Sequence, residues 1–414
     1  MLGLGGFGGL LWIKLAPQPD ARSFTGSSAC ERCHEEITRS WQASQHTKMM
    51  RPADAPGVVV ADFSDEAARS RIDLDEVVWA IGGKWEQQFM GEDDQGETLE
   101  PGAWMHLSRE WQFKGWDGWQ VPVPKRRCHG CHTVGLDVET GSFVEPNIGC
   151  ESCHGAASWH VRTWGLGRVT STASADACGQ CHSRGKDPSG RYFFPVGYTP
   201  GSRLDEHFEA LLPSPGQTSS QWWGNGHARD RHQELAAWRQ GGHSKSLESL
   251  RDGYDGRFGP AADDCLSCHA AEAVLQPWLD VSLETAREPI TCAVCHNVHG
   301  RLDEPRMACG ECHGGAESAF HHTPDLNPGH VPCPESAQVE CADCHMPQTA
   351  KIGGEYALHS HSAGIVTPRQ AETWGMPSSC QNGGCHVGDP LERFDAFFEG
   401  GRRAMALEEK DTVQ

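Results

Sequence analysis

Residues 150–160 read CESCHGAASWH, in which Cys150 and Cys153 are followed directly by His154. The same Cys-x-x-Cys-His spacing occurs eight times in the chain of 414 residues. The eight runs are CERCH at 30–34, CHGCH at 128–132, CESCH at 150–154, CGQCH at 178–182, CLSCH at 265–269, CAVCH at 292–296, CGECH at 309–313 and CADCH at 341–345. This spacing is the attachment signature of haem c, because both thiols add to haem vinyl groups and bring the adjacent histidine to the iron.

Two other uses of paired cysteines explain the pattern less well. Zinc sites also use Cys-x-x-Cys pairs, and exported proteins form disulfides, but neither requires a histidine directly after the second cysteine in every run. We therefore predict covalent haem at each motif. The predicted attachment cysteines are Cys30, Cys33, Cys128, Cys131, Cys150, Cys153, Cys178, Cys181, Cys265, Cys268, Cys292, Cys295, Cys309, Cys312, Cys341 and Cys344. The predicted proximal iron ligands are His34, His132, His154, His182, His269, His296, His313 and His345.

The stretch CQNGGCH at residues 380–386 departs from this spacing, because four residues separate Cys380 from Cys385. Two glycines allow the longer loop to bulge outward, since glycine adopts backbone conformations that are closed to other residues. We interpret Cys380, Cys385 and His386 as a ninth haem site, which gives nine haems, or eight if this site is empty. The alternative interpretation is a vestigial or metal-binding loop.

The formal charge of −21 excludes a general nucleic-acid-binding protein, because the sequence contains no basic stripe. We expect redox partner proteins that dock through a basic patch, with an association that weakens as salt rises. The other interpretation of the acidity is that it only keeps the protein soluble.

The fold class follows from cofactor density and composition. Nine haems in 414 residues make each cofactor part of the core, and 48 glycines and 25 prolines favour turns and short helices. We predict a mostly α, loop-rich multihaem cytochrome c wrapped around a haem array. A small β-hairpin is expected near residues 76–107, where short apolar runs flank EDDQGE.

The positions of the motifs predict the domain organisation. We expect a first haem lobe at 23–200 with haems 1–4, an interlobe segment at 201–260 that supplies distal histidines, and a second haem lobe at 261–390 with haems 5–9. Residues 391–414 are expected to form a C-terminal helix or tail. Within the interlobe segment a helix is predicted from about Ala228 to Gln240, with Gly241 and Gly242 as its stop.

Residues 1–22 are predicted to be an apolar targeting segment or tether. Attachment of haem c is completed outside the cytoplasmic membrane, so we expect export to the periplasm or the cell exterior. The apolar stretch before Lys14 is too short to span a bilayer comfortably, and it lacks the basic residues that precede a signal-peptide core. It is therefore interpreted as a weak membrane tether or as part of a signal that starts upstream.

Each iron needs a second axial ligand for pure electron transfer, since an open position binds water or small molecules. Of 23 histidines, 14 lie outside the nine motifs. His160 and His299 are too near their own motifs in sequence to close over the same iron, and His46 follows its motif on a predicted helix that leads away. His232 and His243 lie at either end of the interlobe helix, within reach of both lobes.

Some ligand choices stay open in the sequence. One of His321 and His322 is expected to be a distal ligand, and the same holds for His359 and His361. Methionine is the other residue type that binds haem iron in cytochromes c. The methionines considered are Met49, Met50 and Met346.

Several of these segments resemble the multihaem cytochromes c of the cytochrome c-554 and hydroxylamine oxidoreductase superfamily. The resembling segments are GSSACERCHEEITRSWQASQH, IGGKWEQQF, IGCESCHGAASWH, CGQCHSRG, PVGYTPG, CAVCHNVHG and CADCHMP, spread over residues 26–347. The likeness implies haems packed in stacked or perpendicular pairs, most with two histidine ligands. It favours as distal ligands His46, His160, His232, His243 and His299, with one of His321 and His322 and one of His359 and His361. The spacing at Cys380 and the number of haems depart from the family pattern.

Three functions are compatible with these features. The leading hypothesis is an exported electron carrier, not an enzyme, that passes electrons along mostly bis-histidine haems by Fe(III)/Fe(II) cycling. An alternative is a redox enzyme acting on a small nitrogen or sulfur compound at a haem with an open distal site. No Cys-x-x-Cys-Lys run occurs, and Tyr356 is the tyrosine nearest to candidate ligands. A further alternative is a homo-oligomeric subunit of an extracellular cytochrome filament.

Overall fold

The computed structural model describes residues 23–93, 96–113, 124–170, 173–252, 263–313, 340–382, 386 and 388–390. Several predictions concern residues outside these ranges. They are the targeting segment at 1–22, the C-terminal helix at 391–414, His321, His322 and Cys385.

The helices of the described residues are short, and the longest has eight residues. They are α1 Ser28–Glu31, α2 Glu35–Gln42, α3 Glu66–Arg69, α4 Pro124–Arg127, α5 His129–His132, α6 Cys150–His154, α7 Ser158–Arg162, α8 Asp176–Gly179, α9 Glu234–Gln240, α10 Ser246–Arg251, α11 Leu266–His269, α12 Ala271–Leu275, α13 Cys292–Cys295, α14 Cys309–His313, α15 Cys341–His345 and α16 Pro368–Trp374. Single 3₁₀ turns lie at His46–Lys48, Leu204–Glu206, Gly242–Lys245 and Asp263–Cys265. The expected loop-rich architecture with short helices is confirmed.

Most of the cysteine motifs lie in or beside one of these one-turn helices. A spacing of three residues brings two side chains to the same face of a helix, about 5–6 Å apart. Both thiols of a motif therefore point to one side, and the histidine that follows ends the turn. At Cys150–His154, for example, Gly155 continues the chain with φ 73°, a conformation that suits glycine.

The strands form one larger sheet and three two-stranded pairs. They are β1 Met50–Pro52, β2 Val77–Ile81, β3 Glu86–Asp93, β4 Gly96–Leu99, β5 Ala103–Met105, β6 Glu110–Gln112, β7 Thr133–Val134, β8 Glu145–Pro146, β9 Gly185–Lys186, β10 Glu209–Ala210, β11 Gln348–Ile352 and β12 Glu355–His359. The larger sheet is antiparallel with the order β1-β2-β3-β5-β6, and β4 also pairs with β3. The hairpin predicted near residues 76–107 is therefore part of a six-stranded sheet.

One face of the sheet packs on the preceding loop. Phe89 is fully buried and contacts Val58, Ile72 and Val77 in one apolar cluster. Burial of a side chain of this size stabilises the fold by about 1.5–3 kcal/mol. Trp111 closes the cluster through edge contacts with Phe63.

The hairpin of β11 and β12 positions two candidate ligands. Its two-residue turn is Gly353 and Gly354, with φ of 59° and 86°, the left-handed conformation that such tight turns require. β12 ends at His359, and His361 lies just beyond it. The turn thus fixes where both histidines leave the sheet.

The interlobe helix is shorter than predicted. Instead of starting at Ala228, α9 begins at Glu234, because His232 has φ of 61° and lies outside the helical region. The predicted stop is correct, since Gly241 is the C-terminal cap. The buried face of α9 packs against α8 at Gly179, where an added Cβ would lie 2.2 Å from Leu235 Cδ2.

No helix within the described ranges is both long and apolar enough to cross a membrane. The division into two haem lobes stays a prediction.

Candidate haem-binding sites

Five motif histidines each face a histidine from outside the motifs. We number the haem sites 1–8 by motif order along the chain, and the 380–386 stretch is site 9. The ring centroids of the five pairs lie 6.0–6.3 Å apart. The pairs are His34 with His160 at site 1, His154 with His299 at site 3, His182 with His232 at site 4, His296 with His361 at site 6 and His313 with His243 at site 7.

This separation leaves room for a metal atom between the two rings. Two imidazoles that each bind a metal through Nε2 at about 2 Å have ring centroids about 6 Å apart. The angle between the ring planes varies from 14° to 67°, whereas the distance stays between 6.0 and 6.3 Å. Face-to-face stacking of the rings would keep the angle between their planes small. A metal atom bound between the two rings fixes their distance but not this angle, so it explains the pairs better.

Backbone carbonyls hold the Nδ1 atoms of many of these histidines. His154 Nδ1 lies 2.7 Å from Thr170 O, and His160 Nδ1 lies 2.8 Å from Gly167 O. The same contact joins His132 Nδ1 to Met49 O at 3.0 Å and His269 Nδ1 to Ser246 O at 3.0 Å. It also joins His232 Nδ1 to Cys181 O at 3.1 Å. A histidine that donates from Nδ1 to a carbonyl keeps the lone pair of Nε2 for a metal. These hydrogen bonds therefore favour the tautomer whose Nε2 can bind a metal.

The paired histidines line one continuous cavity of about 3110 Å³. An ordinary ligand pocket measures about 300–1,000 Å³, so this cavity has room for several large cofactors. Both cysteines and the histidine of sites 1, 2, 3, 4, 6 and 7 lie on its wall, and sites 5 and 8 contribute Cys268 and Cys341. Half of the His182 side chain is exposed, and it faces this cavity.

A buried cation, Arg184, lies on the cavity wall. The Nε atom of Arg184 is buried without a hydrogen bond, and burial lowers the pKa of this guanidinium. Arg231 lies nearby and pairs with Glu86. Carboxylates are strong partners of guanidinium groups, and each haem carries two as propionates. The thiols, imidazoles, apolar walls and cations of the cavity therefore fit haem.

At site 4 a carboxylate lies beside the motif histidine. Glu234 Oε2 lies 3.5 Å from His182 Nδ1, and Glu234 Oε1 accepts a hydrogen bond from the backbone N–H of His232 at 3.2 Å. Burial lowers the pKa of His182, but the nearby carboxylate of Glu234 outweighs this effect and raises the pKa to about 9. His232 has the opposite shift, since burial lowers its pKa to about 3.

Contacts between motifs connect the sites into a continuous array. Thiols of different motifs meet at five places, which are Cys30 with Cys150, Cys131 with Cys181, Cys178 with Cys292, Cys268 with Cys312 and Cys309 with Cys341. Gln180 Nε2 donates to Ser152 O at 2.8 Å and links sites 3 and 4. Sites 6 and 7 are near each other through Cys295 and Cys309. The ten cysteines of the five thiol contacts are not joined in disulfides.

The structure separates His359 from His361. His361 faces His296, whereas His359 Nδ1 contacts Met346 O and its Nε2 lies 3.4 Å from Gln348 Nε2. Burial lowers the pKa of His361 to about 4, which favours the neutral imidazole that a metal binds.

His227 is a supporting residue that sequence reasoning did not single out. Its Nδ1 lies 2.8 Å from Ser360 Oγ and 3.3 Å from Ser362 Oγ, the residues on either side of His361. The two hydroxyls also contact each other at 2.9 Å. His227 thus fixes the segment that presents His361. A Ser-x-Ser frame around a histidine is too common to reveal this contact in advance.

His46 lies on the cavity wall, and burial lowers its pKa to about 4. In the described part of the chain its ring faces no motif histidine. The same part of the chain places no histidine opposite His132 or His269. Burial lowers the pKa of His132, and the charge of Arg231 contributes to this shift.

Site 9 is described in part. Cys380 is half-buried, and His386 Nδ1 lies 2.9 Å from Asp389 Oδ2. Cys385 lies outside the described residues, so its role stays a prediction.

Two methionines and a tyrosine that the sequence analysis considered as ligands or reactive groups have structural contacts instead. Met49 offers its backbone carbonyl to His132, and Met50 is fully buried in the apolar core of the sheet. Tyr356 packs against Trp223, with ring centroids 6.0 Å apart, and lies under the Lys351 ammonium. It therefore belongs to the apolar core rather than to the cavity wall.

Comparisons with known proteins agree with this geometry. The family model of cytochrome c554 and c-prime matches residues 29–68 and 107–155. The fold is similar to the crystal structure of the outer cell wall cytochrome OcwA, with 26% identity, a TM-score of 0.76, and coverage of 90% of this chain and 85% of that one. It is also similar to the undecahaem cytochrome from the S-layer of Carboxydothermus ferrireducens, with 18% identity, a TM-score of 0.54, and coverage of 94% and 62%. No curated protein sequence matches the chain.

The cysteine motifs, the family match and the likeness to solved cytochromes point to one class of protein. The chain is a multihaem cytochrome c, and over residues 29–68 and 107–155 it is similar to cytochrome c554 and c-prime.

Proposed function

We propose that this cytochrome is an exported electron carrier whose haems are mostly bound by two histidines. The observation that carries the proposal is the set of five histidine pairs, each with one motif histidine and a common centroid separation of 6.0–6.3 Å. Iron with both axial positions filled exchanges electrons without binding substrate, so bis-histidine sites favour electron transfer over catalysis.

In this proposal the motif cysteines attach haem c through thioether bonds, and the motif histidines are proximal ligands. The distal ligands of sites 1, 3, 4, 6 and 7 are His160, His299, His232, His361 and His243. Site 9 brings the number of haems to nine, with Cys380 and Cys385 as its attachment residues. His46, His359 and one of His321 and His322 are proposed to serve remaining sites.

Electrons are proposed to move along the contacts between motifs. Site 4 touches sites 2, 3 and 6 through the contacts of Cys131, Gln180 and Cys178. Site 7 touches sites 5, 6 and 8. Haems held by touching motifs are near enough for rapid electron exchange, so the array offers a path from site 1 to site 8.

Export is supported by the chemistry of attachment and by likeness. Thioether haem is completed outside the cytoplasmic membrane, and the similar solved proteins are described as an outer cell wall and an S-layer cytochrome. The charge of −21 suits a redox partner with a basic docking patch.

The test is an anaerobic stopped-flow experiment. Fully reduced protein is mixed with excess soluble ferric chelate, and the haem absorption is followed until it is constant. The proposal expects the haems of sites 1–8 to be reoxidised, because contacts between motifs connect these sites. A fraction of haem that stays reduced with oxidant in excess would contradict a continuous electron path.

A second candidate function is reduction of a small nitrogen or sulfur anion at site 2. It is favoured by His132, which faces no histidine in the described ranges and has Arg231 and Arg184 nearby as cations. An open iron beside cations would bind an anion. In this case the oxidised protein contains about one high-spin haem per chain, and nitrite or sulfite converts it to low spin. A protein without high-spin iron excludes this activity.

A further inference from the structure

Glu234 touches both histidines of site 4 with one carboxylate. One oxygen lies 3.5 Å from His182 Nδ1, and the other accepts the backbone N–H of His232 at 3.2 Å. Glu234 is the first residue of α9, and the chain turns back at His232, whose φ is 61°. The positive backbone angle of His232 is what brings the carboxylate across to His182.

This contact differs in charge from those of other sites. The Nδ1 atoms of His132, His154 and His269 face neutral backbone carbonyls. His386 is another motif histidine beside a carboxylate, that of Asp389. That pair is near the end of the described chain, whereas Glu234 lies on the wall of the shared cavity.

We propose that Glu234 lowers the reduction potential of the haem at site 4 and acts through His182. The inference rests on the proposed function, in which His182 and His232 ligate this iron. A carboxylate close to Nδ1 of the motif imidazole makes the imidazole a stronger electron donor, which stabilises Fe(III) more than Fe(II). A negative charge inside a poorly polarisable cavity adds to this preference. Glu234 is thus a positioning and tuning residue rather than a ligand.

The potential of the haem at site 4 affects electron transfer between other sites, because site 4 contacts several of them. Site 4 touches sites 2, 3 and 6, so it is a junction between the first group of haems and the second. Each transfer step moves one electron from a ferrous haem to a neighbouring ferric haem, and no other bond changes. A junction of low potential holds an electron only briefly, which keeps sites 1–3 and sites 5–8 as separate electron pools.

The test is a potentiometric titration of the full holoprotein with Glu234→Gln, which keeps the size of the side chain and removes its charge. The matched control is Asp230→Asn. Asp230 lies near Arg184, as Glu234 does, but its hydrogen bond at 3.3 Å is from Gln221 and not from a motif histidine. Haem content, thermal midpoint and low-spin iron are measured for each variant at one fixed pH.

We expect Glu234→Gln to shift one electron equivalent per chain to higher potential by at least tenfold in equilibrium constant, or about 59 mV for a one-electron couple. Asp230→Asn should shift the same equivalent much less. Equal shifts in both variants would overturn the role of the contact in favour of a general charge effect. No shift in Glu234→Gln, or loss of one low-spin haem instead of a shift, would also overturn it. Wild-type protein with fewer than five low-spin haems would refute the proposed function itself, whatever the variants do.

Discussion

Replacing His361 by glycine tests the assignment that the sequence left open. His361 faces His296 with ring centroids 6.1 Å apart, and no other ring is placed opposite His296 in the described ranges. Removing the imidazole opens one axial position on one iron. The variant should therefore contain about one additional high-spin haem per chain, about one ninth of the iron if all nine sites are filled.

The assay is electron paramagnetic resonance of the oxidised protein, with the high-spin signal integrated against total haem. Added imidazole should restore low spin, because the substitution leaves a space shaped for that ring between His296 and the hairpin. Rescue separates a lost ligand from a damaged fold. His207→Gln is the control, since His207 Nδ1 also lies near a backbone carbonyl, Val196 O at 3.2 Å, but its ring faces Tyr198.

Two results would refute the reasoning. A His361→Gly protein without new high-spin iron would show that His361 does not ligate. A high-spin signal of the same size in His207→Gln would show that the pairing geometry does not identify ligands.

Three further predictions concern residues that support the sites. Gly167→Ala should convert part of the haem iron at site 1 to high spin in the electron paramagnetic resonance spectrum, because the added Cβ would lie 2.8 Å from the backbone N of His160. The control is Gly310→Ala, where an added Cβ meets nothing within 4 Å, and its spectrum should be unchanged. Phe89→Ala should lower the free energy of unfolding by about 3–5 kcal/mol in a denaturant titration while haem content by pyridine haemochrome stays constant, because Phe89 is buried in the sheet and away from the cavity. Burial lowers the pKa of His227 from 6.5 to about 4, so the neutral imidazole stabilises the fold fully above pH 6.5, and this stabilisation is lost as the pH falls toward 4. The difference in thermal midpoint between wild type and His227→Gln should therefore become smaller from pH 6.5 to pH 4. A difference that stays constant over this range would contradict the prediction.

The sequence and the family resemblance predicted four of the five histidines that face a motif histidine, whereas tertiary contacts place the fifth. His46 was favoured too, but it lies on the cavity wall and faces no motif histidine in the described part of the chain. The sequence favoured His160, His232, His243 and His299, and each of them faces a motif histidine. It left His361 undecided, because the orientation of its ring depends on irregular pairing between β11 and β12 and on the distant His227. Neither feature has a local sequence signal.

The six-stranded sheet and the start of α9 were also predicted only in part, because both depend on features without a local sequence signal. The hairpin near residues 76–107 was visible as apolar runs, but β1 and β6 have three residues each and pair only through long-range contacts. The start of α9 was predicted too early, because nothing in the sequence marks His232 as left-handed. Its end was predicted correctly from Gly241, since glycine stops helices by a local backbone preference.

The most direct test of the central claim is a quantitative electron paramagnetic resonance spectrum of the oxidised wild-type protein, with iron and haem counted on the same sample. Five histidine pairs predict at least five low-spin ferric haems per chain. Fewer than five low-spin haems in a sample with full haem content would contradict bis-histidine ligation, and with it the account of this chain as an electron carrier.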